Sequence, residues 1–109
     1  MAYDEGLAQI LRDHLAGWPG IAEKRMFGGI VFMLNGNMLC GVHAGGGMFR
    51  VGKDGEAAAL AVEGARPMDF TGRRMGGFVD VSDAALRDDD RRAALMDLAL
   101  AFVAPLPAK

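Results

Sequence analysis

Two stretches set arginine beside paired glycines: R-M-F-G-G-I at Arg25 to Ile30, and R-R-M-G-G-F at Arg73 to Phe78. An arginine fork can hold a carboxylate or phosphate in two parallel hydrogen bonds, and paired glycines put no bulky side chain in the way of an approaching backbone or anion. Arg25, Arg73 and Arg74, with Gly28, Gly29, Gly76 and Gly77, are therefore candidate residues for partner or anion binding if the two motifs meet across a sheet. Arg66 joins them because Pro67 follows it, marking a strand start or an edge where another chain can be taken up or kept off. The competing account is structural. The glycines would be bulges or points of close backbone approach, with Met26, Phe27 and Met75 filling the core beneath. Neither motif is a glycine-lysine phosphate loop or a dinucleotide fingerprint opening a helix.

The remaining reactive side chains do not assemble into a catalytic or metal-binding set. Cys40 and His43 are three apart in a strand-like run, a spacing that sends them to opposite faces, and His14 is the only other histidine. A thiol in an apolar strand lacks the base and the polar surroundings that make a nucleophile. His14 lies at the boundary of an apolar helical stripe. Asp88 to Asp90 stand where a helix begins, as capping and dipole partners rather than magnesium ligands. No nucleophile elbow is present. The expectation is a protein with no catalytic residues, no metal and no cofactor.

The elements that must position the arginines follow from hydrophobic period. Leu7, Ile10, Leu11, Leu15 and Trp18 recur at helical spacing, making one core-facing stripe that ends at Gly17 and Pro19-Gly20. Ile30 to Leu34 reads as a strand, Asn35-Gly36-Asn37 as a hairpin turn, and Met38 to His43 as the returning strand. Gly45 to Gly47 leads into Met48 to Val51, where Phe49 and Val51 face one way and Met48 and Arg50 the other. Asp54 to Val62 is a short alanine-rich helix crossing the sheet. Pro67 to Thr71 and Met75 to Val81 are two more strands with Thr71-Gly72 at their turn. A closing helix has start signals at Ser82-Asp83 and again at Asp88, with Leu95, Leu98, Ala99, Phe102 and Val103 on its apolar stripe. The fold class is α+β: a two-layer sandwich with an antiparallel sheet of about five strands and helices on one face, in the order α-β-β-β-α-β-β-α. The eight methionines are expected mostly in the core, with a minority at an interface.

At 109 residues, 51% hydrophobic and 24% charged, the chain is one domain spanning 1–109. No apolar run approaches a membrane span, the acidic start is unlike a secretory signal, and a single cysteine suits a reducing compartment, so a cytoplasmic protein is expected. Net charge is -2, without the basic footprint of a nucleic-acid binder. Its distribution is uneven: Lys24 to Arg74 hold seven basic and four acidic residues, and the rest of the chain five basic and ten acidic. A basic sheet region flanked by acidic helices favours an acidic partner or self-association.

Over nearly its whole length the chain resembles the TfoX/Sxy competence-regulator N-terminal domain family. The resemblance is carried by K-R-M-F-G-G-I-V-F, the N-G-N-M-L hairpin, M-F-R-V-G, A-R-P-M-D-F-T-G-R-R-M-G-G-F-V-D-V and the closing helix. It implies a two-layer α+β domain in a family named for regulators of natural transformation that work with the cyclic-AMP receptor protein on DNA. Those regulators carry a second, C-terminal domain, so the expectation here is a stand-alone regulatory or adaptor module without catalytic activity. It would act on a protein partner such as a transcription factor, or as a homodimer, with no direct nucleic-acid binding and no membrane association. The other reading of the residues is a binding protein or enzyme for a small acidic ligand at the glycine and arginine surface.

Overall fold

The computed structural model describes residues 3–26, 28–70 and 72–109. In chain order these form α1 (Glu5–His14), β1 (Ile21–Met26), β2 (Gly29–Leu34), β3 (Asn37–His43), β4 (Gly46–Arg50), α2 (Gly52–Leu60), β5 (Ala65–Phe70), β6 (Arg73–Val81), α3 (Asp83–Arg87) and α4 (Asp89–Val103). The strands make one antiparallel sheet in the order β1-β2-β3-β4-β6-β5. β4 and β5 both run antiparallel to β6, so α2 carries the chain over β6 from one of its neighbours to the other, the crossing expected of that helix.

Local signals explain most of these elements. Asp4 caps α1 by accepting from the Gly6 N–H, and Leu7, Ala8 and Leu11 bury its inner face. Asn35 and Gly36, both at positive φ, form the β2–β3 turn. Ser82 caps α3, and Asp88 ends α3 while capping α4. The two start signals in the closing segment thus belong to two helices rather than one. α2 begins at Gly52, two residues before the expected start.

Two further expectations are corrected. The sheet has six described strands, not five, because Ile21–Met26 pairs with β2 along its whole length. That edge strand is exposed over Ala22 to Arg25, so it shows no apolar alternation from which a strand could be read. Trp18 does not share the core stripe. It is 43% exposed, because α1 ends at His14 and the following turn carries Trp18 off the helical face. The expected positions of Phe27 beneath the first glycine pair and of Thr71 at the β5–β6 turn lie outside the described residues.

The pleat separates two hydrophobic clusters. On one face Phe32, Cys40, Phe49 and Val79 stand in register across β2, β3, β4 and β6, and the buried side chains of all four helices pack over them. On the other face the row runs Lys24, Val31, Gly41, Met48, Asp80, Arg66 from one sheet edge to the other. Val31, Met48 and Met68 are buried there with Met26, Met33, Met38, Met75 and Phe78 around them, a cluster built from strand residues alone. Six of the eight methionines therefore face away from the helices, and among the described residues Met96 is the one in the helix-side core. Most methionines thus lie in or against a hydrophobic core cluster, as expected, but in the one on the face away from the helices, where long, unbranched thioethers shield Val31 without a covering layer.

Candidate functional site

The two glycine motifs do not meet. Gly28 and Gly29 lie where β1 turns into β2, level with His43, while Gly76 and Gly77 lie in β6 near the level of Val51. With β3 and β4 between them, and at opposite ends of the sheet, they are roughly 20 Å apart by strand spacing and rise. Arg25 is exposed on edge strand β1, whereas Arg73 and Arg74 begin β6 at the other side of the sheet. The common patch expected of these arginines is not formed. Each motif has its own task.

At Gly29 the task is close approach, since a Cβ would overlap the carbonyl oxygen of Val42 on β3. At Gly77 it is a bend. Pro67 pairs with Val79 but Asp69 with Arg74, so β6 spends four residues where β5 spends one. Gly77 takes φ +85° and comes against Gly52 at the start of α2. Glu56 of α2 fixes the bend: one carboxylate oxygen accepts from the Gly77 N–H at 2.9 Å and the other from Arg74 Nη2 at 2.7 Å. Arg74 is thus a partner of the framework whose guanidinium is still half exposed. Arg66 likewise pairs with Asp80 at 2.8 Å, and His43 Nε2 lies 2.8 Å from the other oxygen of the same carboxylate. The Gly45 N–H donates to His43 Nδ1, which leaves the proton on Nε2, pointing at Asp80.

Between the β6 bend and the start of α2 is a pocket of about 440 Å³. Gly76 and Gly77 form one wall, joined by Arg50, Lys53, Phe78 and Phe102. The second glycine pair therefore does line a concave surface with cations on it. The cations are not those expected from sequence adjacency: Arg50 and Lys53 reach the pocket through the β4–α2 connection. A signal for Arg50 was present, a lone arginine closing an apolar strand directly ahead of Val51-Gly52. Glu56 had none, because its role depends on where α2 lies over β6.

Cys40 and His43 point to opposite faces as their spacing requires, and burial pushes the Cys40 thiol far up from its ordinary range. Among the described residues no three metal-ligating side chains converge, and no helix is long and apolar enough to cross a membrane.

His14 sits at the end of α1, where Arg92 Nε donates to its Nδ1 at 3.2 Å. Burial, and then the Arg92 charge, lower its pKa from the ordinary histidine value, against weaker opposing effects of Asp97 and Asp89. The folded protein then holds this proton less tightly than the unfolded chain, so stability is full above about pH 6.5 and falls as pH drops toward the lowered value. His14→Gln should flatten that part of a plot of urea midpoint against pH. An unchanged slope would assign it to other groups.

Neither the curated proteins nor the solved structures include a match to this chain. The TfoX N-terminal domain profile matches residues 13–103, from the end of α1 through β1 to β6 and the whole of α4, and the chain accordingly belongs to the TfoX N-terminal domain family.

Proposed function

We propose that this protein is a regulatory adaptor of the TfoX/Sxy type, without catalytic activity of its own, that acts by protein contact in transcriptional control of competence or a related process. Membership of the family supports the regulatory part. One observation carries the contact part: a six-stranded sheet has helices on one face, while the other bears six methionines. Thioether side chains repack around differently shaped apolar partners at small conformational cost, which suits a docking face. Basic Lys24 stands at one edge of its central row, while Arg66 at the other edge is paired with Asp80, so the partner that fits presents apolar side chains with an acidic one beside them, such as a segment of a transcription factor.

Met33 and Met38 test the reading because they face each other across β2 and β3, are half buried, and lie outside the helix-side core. The double variant Met33→Glu, Met38→Glu should melt within a few degrees of the parent and lose at least about tenfold in partner retained when the tagged chain is drawn from its own cells. Light scattering on the purified chain separates a foreign partner from a second copy. Equal retention by parent and variant would remove this face from the function.

A further inference from the structure

The pocket between the β6 bend and the start of α2 shares Phe78 with the methionine cluster but is lined by none of the methionines, and it goes beyond the protein-contact reading. We infer that it is a binding site for a small organic anion, a carboxylate or phosphate carried on a single apolar ring, with Arg50 and Lys53 as its charge partners.

Its volume of about 440 Å³ falls within the range of small-molecule sites. The charge on its walls selects the sign of the ligand. Arg12, Arg66, Arg74, Arg87, Arg91 and Arg92 are each ion-paired with a carboxylate. Arg50 is half buried and, among the described residues, has no carboxylate within ion-pair distance and donates no side-chain hydrogen bond. Its guanidinium is held instead against two aromatic rings, 5.9 Å from the centre of Phe78 and 5.5 Å from that of Phe102. Cation–π contact orients the fork while leaving its N–H donors available for an incoming acid. Lys53 adds a second cation on the same wall, and Asp54 at the pocket is the one lining acid, leaving a net positive charge. Glu56 does not compete for Arg50, since both its oxygens are occupied by Gly77 and Arg74.

The apolar body is selected by Phe78 and Phe102, both half buried with part of their surface in the pocket. The glycine wall keeps the space open. Gly76 is not at positive φ, and a Cβ there would meet only Lys53 Cε, at 3.5 Å. A side chain at position 76 is therefore compatible with the strand and would occupy ligand space.

Four probes separate the contributions by calorimetric titration and thermal melting: phenyl phosphate, phenylacetate, neutral phenylacetamide and inorganic phosphate. The two aromatic anions should bind and raise the melting temperature, with the amide and bare phosphate at least about tenfold weaker. Arg50→Met, which keeps the packed stem, should weaken phenyl phosphate about tenfold or more, and Gly76→Val should abolish binding while melting near the parent temperature. The Met33→Glu, Met38→Glu variant should bind phenyl phosphate as the parent does, so failure of the docking face leaves this site standing. The inference is overturned if neither aromatic anion binds up to about 10 mM, if the amide or inorganic phosphate matches them, or if both pocket variants bind unchanged.

Discussion

Gly29→Ala should destabilise the protein by about 3 kcal/mol, read as a fall in urea midpoint at unchanged slope. The clash is with backbone, the Val42 carbonyl on the neighbouring strand, and not with the far end of a side chain that could swing aside. To admit even one methyl group, β2 and β3 must part next to the Ile30 and Val42 pair, both buried in the helix-side core. Gly76→Ala is the internal control. It should stay within about 1 kcal/mol of the parent, because open space surrounds that position and its backbone suits any residue. If both variants behave alike, the first glycine pair is not a packing device and an accessible surface becomes the better account of it.

Phe49→Ala should cost about 3–5 kcal/mol, while Met48→Ala, one residue earlier, should cost less than half as much. Both side chains are almost wholly buried, at 0% and 2% exposure, so burial alone would rank them together. Their surroundings differ. Phe49 stands between Cys40 and Val79 under a roof of helices, in a cluster too well enclosed to collapse onto the missing ring. Met48 is covered by flexible methionines and Phe78, which can settle into the vacated volume or admit water. Equal losses would mean that the second face is packed as rigidly as the first, which would weaken its assignment as an adaptable docking surface.

The alternation in β4 and just past its end was legible from four residues, with Phe49 and Val51 on one side and Met48 and Arg50 on the other, because a strand pleat repeats every two residues whatever lies above it. The Asn35-Gly36 turn and the start signals at Ser82 and Asp88 were equally local. β1 escaped notice for the opposite reason: an exposed edge strand is held by its ladder to β2 and carries no apolar pattern of its own. The candidate site was half legible. Gly76 and Gly77 do line a pocket, but Arg25 belongs to another part of the sheet, Arg66 and Arg74 are bound to Asp80 and Glu56, and Arg50, Lys53 and Phe102 take the places expected of them.

By itself the amino-acid order determined what depends on neighbours in the chain: the α+β class, the Asn35-Gly36 turn, the caps at Ser82 and Asp88, the alternation from Met48 to Val51, and the family resemblance that the profile match bears out. Tertiary structure decided what depends on strand order and helix placement. Inserting β6 between β4 and β5 put α2 across the β6 bend, gave Glu56 its two partners, brought Phe102 to Arg50, and left the methionines on the face that the helices do not cover. Those contacts join residues far apart in sequence, and the glycine pairs look alike on paper because chain-local chemistry does not encode which strand will lie beside them.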